Sequence, residues 1–193
     1  MKSLISLLTM LTIFSLEIIA QKNDNNIREN PRETRKFAIT SDSGFKSLTG
    51  VGLALTYYPI KNIAIDAGAG AGLQGYKGGV RARVLFFNRK FSPYLGLGVF
   101  HNPLTENDRL FPSNDGTTEY DLDFEKSTFA QVIFGFETMS YGGFVIGFNL
   151  GYSKNLNEPS WSSVDDVDSN TKSLIDLLYG SSICTGFNIG FAF

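Results

Sequence analysis

Cysteine is almost missing from this 193-residue chain: Cys184 stands alone, so no disulfide forms within it. His101 is the single histidine, and one thiol with one imidazole is too small a set for a zinc site built by the chain itself. Charge of one sign is lacking too. The formal net charge is −2, which argues against a general nucleic-acid binder. After the first twenty residues there is no further apolar run long enough to cross a membrane as a helix. No lysine–serine or lysine–threonine pair follows the glycines around Gly68, Gly70 and Gly72, so they do not form a phosphate loop. What is plentiful is glycine (20) and phenylalanine (17), a pairing that suits close-packed strands bearing large side chains on one face.

Residues 1–20 read as a signal peptide. Lys2 supplies the positive end, residues 4–16 the apolar core, and Ile18-Ile19-Ala20 precede a cut ahead of Gln21. Glu17 and Ile18 make that cleavage site imperfect. No cysteine follows the cut, so a lipid-anchored form is not supported. Residues 21–35 are polar with one large apolar residue, Ile27, and read as a flexible periplasmic tail. An exported chain with no second spanning helix enters a membrane only as a closed barrel.

Residues 36–193 fall into eight segments that alternate with period two, the period of a strand whose successive side chains face opposite ways. In the last, Ile183, Thr185, Phe187, Ile189, Phe191 and Phe193 share one parity, and Cys184, Gly186, Asn188, Gly190 and Ala192 the other. The segment near residues 80–87 sets Val80, Ala82, Val84 and Phe86 against Arg81, Arg83, Leu85 and Phe87. The segment near 91–102 sets Leu95, Leu97 and Val99 against Tyr94, Gly96, Gly98 and Phe100. The glycine-rich stretch 72–79 reads as a reversal. Connections after the second, fourth and sixth segments are short, and those after the fifth and seventh are long. That asymmetry is the organisation of an outer-membrane barrel, and an even strand count puts both termini at its periplasmic end.

Alternation alone does not separate a lipid-facing barrel from a secreted one with an apolar interior. The second face does. It is rich in glycine, with Asp66, Arg81, Arg83, Gln131, Glu137, Asn149 and Asn188 scattered among it. Small residues and a few charges fit the narrow lumen of eight strands. Turning the fourth strand over would place two arginines in lipid, at roughly 2–4 kcal/mol each near the midplane. The expected fold is therefore all-β, an eight-stranded antiparallel up-and-down transmembrane barrel.

Three stretches carry a resemblance: residues 50–62 (GVGLALTYYPIKN), residues 92–98 (SPYLGLG) and the terminal Gly190-Phe191-Ala192-Phe193. Through them residues 36–193 resemble the small eight-stranded outer-membrane barrel family, related to the OmpA transmembrane domain and OmpX and including the Bacteroidetes-type outer-membrane β-barrel domain. The resemblance implies location in the outer membrane among lipid and lipopolysaccharide. It also implies that Phe187, Ile189, Phe191 and Phe193 are read by the barrel-assembly machinery. It is nearly silent on activity.

Charges in a narrow lumen need partners. A hairpin centred on Gln74 and Gly75 puts Asp66 opposite Arg83 and Gly68 opposite Arg81, and predicts a structural ion-pair network rather than a gated conductance path. Some small barrels modify lipid A, as PagL and PagP do, with a base and a hydroxyl. His101 faces outward near the loop end but lacks a His-x-Ser arrangement, so catalysis is not the expectation. The long connections are acidic: Glu106, Asp108, Asp115, Glu119, Asp121, Asp123 and Glu125 in one, Glu158, Asp165, Asp166, Asp168 and Asp176 in the other. Asp165, Asp166, Asp168 and Asn170 match calcium-loop spacing only in part and lack its glycine and closing glutamate. Leu174, Leu177 and Leu178 have helical spacing and predict one short turn over residues 173–179 near Trp161. The expected function is a monomeric, non-enzymatic envelope or surface-contact protein without cofactors. A lipid-A-modifying enzyme and a narrow gated pore are the alternatives.

Overall fold

The structure, a computed structural model, describes residues 30–72, 75–103, 108–112, 119–124, 126–157, 161–163 and 169–193. The signal at 1–20, most of the tail, and Asp165, Asp166 and Asp168 lie outside these residues. In chain order the elements are α1 (Pro31–Thr34), β1 (Phe37–Ser43), β2 (Val51–Ile60), β3 (Ile63–Gly72), β4 (Gly75–Leu85) and β5 (Phe91–Asn102). They continue with β6 (Asp108–Pro112), β7 (Glu119–Phe124), β8 (Ser127–Met139), β9 (Phe144–Asn155), β10 (Trp161–Ser163), α2 (Ser169–Tyr179) and β11 (Ser182–Ala192). Eight strands close a barrel in the order β1-β11-β9-β8-β5-β4-β3-β2, every pairing antiparallel. The seam between β1 and β11 is extended by Phe37 and Phe193, which exchange backbone hydrogen bonds of 3.1 and 2.8 Å.

Period-two sequence becomes period-two burial. Along β1, β5, β8 and β9 exposed and buried positions alternate. Val51, Leu53, Leu55, Val80, Leu95, Leu97, Phe134, Leu150 and Phe187 face out, while Asp66, Arg83 and Glu137 are buried. The barrel is inside out relative to a water-soluble domain, whose charges stay at the surface. Glycine makes the interior possible by leaving space. Across the ladders Arg81 and Gln131 both face Gly98, Arg83 faces Gly96, Asn188 faces Gly147 and Asn149 faces Gly186. A Cβ on Gly135 would lie 2.7 Å from Tyr94 Cζ. Large polar side chains thus fill the volume that their glycine neighbours vacate.

The termini, the Lys61-Asn62 turn and the connections at 86–90 and 140–143 mark one end of the barrel, here the terminus end. Pro59 has no N–H for the ladder, and the β2–β3 register shifts between Tyr57 and Ile60. The other end carries the connections at 44–50, 73–74, 103–126 and 156–181.

Several expectations are corrected. The stretch 72–79 is not a reversing loop: β3 runs to Gly72 and β4 starts at Gly75, leaving residues 73–74 between them. The β3–β4 register is therefore two residues from the expected one, with Asp66 opposite Arg81 and Ala64 opposite Arg83. An even shift keeps every side chain on its face. Phe87 does not point inward: β4 ends at Leu85, and Phe87 is exposed. The expected flexible tail is ordered from Asn30. There the Asn30 side chain accepts from the Arg32 N–H at 3.0 Å and Pro31 occupies the first turn of α1.

The long connections also hold structure. β6, β7 and β10 form a three-stranded sheet in the order β10-β7-β6, so the two acidic connections pair with each other. The short turn expected at 173–179 is an eleven-residue helix, α2, with Thr171, Ile175 and Tyr179 buried at four-residue spacing and Leu174 and Leu177 exposed.

Candidate functional site

The lumen near the terminus end is crossed by one connected set of charges. Asp66 projects from β3, Arg81 and Arg83 from β4, Glu137 from β8 and Arg32 from α1. Arg81 Nε donates to Asp66 Oδ2 at 2.7 Å. Arg83 reaches two acids: Nη2 donates to Asp66 Oδ1 at 2.8 Å and Nη1 to Glu137 Oε2 at 2.6 Å. Arg32 Nε donates to Glu137 Oε1 at 3.1 Å. The neutral partners are Thr56, whose hydroxyl donates to Asp66 Oδ1 at 2.8 Å, and Tyr58, whose hydroxyl donates to Glu137 Oε1 at 3.0 Å. The Arg83 guanidinium lies over the Tyr94 ring, 4.8 Å from its centroid. None of the five charged side chains is more than 3% exposed.

Chain geometry explains this clustering. Asp66 and Arg81 are direct cross-strand partners, and Arg83 is the next inward residue on β4, so it reaches Asp66 diagonally. Glu137 sits on β8, the strand beyond β5, and Arg83 reaches past β5 on the lumen side to meet it. Arg32 enters from below. Its Nη1 donates to the Arg89 carbonyl at 2.6 Å and its Nη2 to the Lys90 carbonyl at 3.2 Å, tying α1 to the β4–β5 connection. Three cations meet two carboxylates, so each acid serves two arginines. Low-dielectric surroundings strengthen these contacts and make any unpaired member costly.

Asp66, Arg81, Arg83 and Glu137 are thus brought together. Gln131, Asn149 and Asn188 are inside the barrel but not part of this network, and Gln131 Nε2, Asn149 Nδ2 and Asn188 Oδ1 have no hydrogen-bond partner among the described residues. Sequence reasoning missed Arg32, Thr56, Tyr58 and Tyr94 as members. The signal for Arg32 was present: asparagine followed by proline is a helix start, and it places Arg32 in the first turn.

The loop end is closed by residues 44–50, which fold into the mouth. Leu48 and Thr49 are fully buried, and the Asp42 carboxylate accepts from the Thr49 N–H at 3.3 Å and its hydroxyl at 3.1 Å. Gly50 makes the re-entry with φ of 73°, and a Cβ there would lie 2.2 Å from the Ala71 carbonyl oxygen.

Phe187, Ile189, Phe191 and Phe193 line the outward face of β11, exposed as their parity requires. Phe37 stacks between Tyr57 and Phe193, at centroid distances of 5.0 and 6.3 Å, and Phe144 meets Phe191 edge-on at 5.6 Å. These rings form an aromatic band around the terminus end. His101 is exposed on the outer face with Nδ1 2.9 Å from the Thr128 hydroxyl oxygen. Cys184 is buried in the lumen as a small apolar residue.

No family model matches the sequence, and no curated protein does either. Among solved structures, the N-terminal β-barrel domain of Pseudomonas aeruginosa OprF is similar at 14% identity and a TM-score of 0.48, over 82% of this chain and 96% of that one. Acinetobacter baumannii CarO2 gives 11% identity and a TM-score of 0.42, over 82% of this chain and 99% of the other. CarO of the same organism gives 11% and 0.40, over 88% and 100%. These likenesses are too slight to bear on function. Closure of the eight strands stands on their own pairing.

Proposed function

We propose that this chain is an outer-membrane barrel with a plugged lumen, whose role is to hold a lipid-embedded scaffold and present the acidic loop-end connections outward. One observation carries this reading: an apolar belt surrounds the barrel while Arg32, Asp66, Arg81, Arg83 and Glu137 are buried and paired inside. Val51, Leu53, Val80, Leu97 and Ile183 are each more than 55% exposed, and that surface belongs in hydrocarbon. The aromatic band at the terminus end matches the girdle that sits at a membrane interface, and it would place both ends of the strand set on the periplasmic side. The proposed role is non-enzymatic, with lipid and lipopolysaccharide as its surroundings and no cofactor.

Plugging distinguishes this reading from a pore. Reconstituted into a planar bilayer, the folded chain is expected to give no unitary conductance above the lipid baseline; regular channel steps would overturn the plugged scaffold. Lipid A extracted with and without expression is expected to be unchanged, and a new deacylated or acylated species would instead support an enzyme using His101 and Thr128. The outward Phe187, Ile189, Phe191 and Phe193 are proposed as the segment that the assembly machinery reads. Deleting Phe193 also removes the two backbone hydrogen bonds it makes with Phe37 at the seam. The truncated chain is expected to yield far less heat-modifiable barrel in membranes than chains with internal deletions in 103–125. Equal yields would contradict an assembly role.

A further inference from the structure

The loop end holds a second constellation, independent of the ion network. A cavity of about 370 Å³ opens between residues 44–51, the facing ends of β3, β4, β5 and β8, and α2. Phe45, Phe100, Phe129 and Leu178 supply its apolar lining, and Lys46 and Lys77 its charge. Among the described residues no carboxylate lines it, and neither lysine has an acid within salt-bridge distance. The loop-end acid on the barrel wall, Asp42, gives Oδ2 to Thr49 and lies beyond salt-bridge distance of Lys77, with its Oδ1 lacking a hydrogen-bond partner among the described residues.

Lys77 is held for use. It is almost fully buried, donates to the Ser47 carbonyl at 2.6 Å, and sits 3.8 Å over the centroid of Phe100, which stacks on Phe129 at 4.9 Å. An ammonium has three donors, and one carbonyl takes only one of them. Lys46 is fixed differently. Its backbone adopts a left-handed φ of 49°, uncommon for a residue with a side chain, and its ammonium donates to the carbonyls of Leu177, at 3.1 Å, and Gly180 at the end of α2. Burial without a counter-ion pushes Lys46 down to about 8. Two cations beside aromatic walls, with no carboxylate in salt-bridge distance among the described residues, describe a site that can take an anion. At roughly 30 Å³ per water-sized atom, 370 Å³ takes on the order of a dozen non-hydrogen atoms.

We propose that this cavity binds a monocarboxylate carrying a compact apolar body, with the carboxylate on Lys77 and the body against Phe45, Phe100 and Phe129. A single negative charge suffices, because Lys46 is already engaged by the helix carbonyls and Lys77 is the ammonium with donors to spare. The site is separate from the scaffold role: it is present in a folded barrel in micelles whatever membrane the chain occupies.

The test uses 4-phenylbutyrate as probe and the folded barrel in detergent micelles, followed by amide resonances. Saturable shifts are expected at the residues lining the cavity. 4-Phenylbutanol, which has the same body without the charge, is expected to bind far more weakly. Lys77→Met is expected to weaken the acid at least about tenfold, the loss of one charge-assisted hydrogen bond. Lys61→Met, at the other end and paired on the surface with Glu33, is expected to leave binding unchanged. If Lys77→Met does not give a heat-modifiable barrel, the acid–alcohol comparison on the unaltered chain decides. Absence of saturable shifts, equal binding of the alcohol, or shifts spread over the outward belt would each overturn the proposal.

Discussion

Replacing Glu137 with glutamine is expected to cost about 3–5 kcal/mol of barrel stability, read as a lower urea midpoint for unfolding from lipid vesicles. Among the described residues Glu137 is the only carboxylate bonded to Arg32 and one of two bonded to Arg83, and it also accepts from Tyr58. The cluster already has one more cation than anion. Losing an acid raises that excess, while losing an arginine removes it. Glu137→Gln should therefore destabilise more than Arg83→Ala, although the second change also opens a cavity. Arg83→Ala is still expected to lower the midpoint, because Asp66 and Glu137 each lose a donor. An inverted order, with the arginine variant the weaker of the two, would show that packing rather than charge balance governs the lumen.

The second large effect lies on the opposite face. Leu97 is 61% exposed in the middle of β5, flanked by Leu95 and Val99 on the same face. Leu97→Arg is expected to destabilise the barrel by roughly 2–4 kcal/mol in lipid vesicles, the cost of a cation near the hydrocarbon midplane. The same substitution would be nearly silent in a water-soluble barrel, where exposed positions tolerate charge. Ile60→Arg, at the edge of the belt beside the Lys61 turn, should cost much less. A depth-dependent penalty of this kind is peculiar to lipid. Equal, small effects at both sites would remove the hydrocarbon from the picture.

These two faces were readable from parity alone. Leucines 95 and 97 and arginines 81 and 83 alternate with glycine or with each other's opposite type, and period two leaves little choice of side. Register was less legible. Glycines at 70, 72, 75, 78 and 79 let the β3–β4 reversal sit at several positions, and only steps of two preserve the faces. Diagonal reach of Arg83 made the expected Asp66 pairing real even so, with Arg81 as the direct neighbour. What the sequence hid were contacts between distant segments without periodicity. Residues 47–50 read as the start of the second alternating segment, yet β2 begins at Val51 and Leu48 is the apolar residue that fills the mouth. The β7–β10 pairing joins two acidic stretches that alternation did not single out. Arg32 looked like one charge among many, and its role became visible only once Glu137 and the carbonyls of Arg89 and Lys90 surrounded it.

The most direct measurement is a nitroxide scan along β5 in lipid vesicles, with Cys184 replaced by alanine and single cysteines placed at 95, 96, 97, 98 and 99. A lipid-embedded barrel with a filled lumen predicts high oxygen and low nickel-chelate accessibility at 95, 97 and 99, with both low at 96 and 98. High nickel-chelate accessibility at 95, 97 and 99 would contradict it, because that face would then be in water.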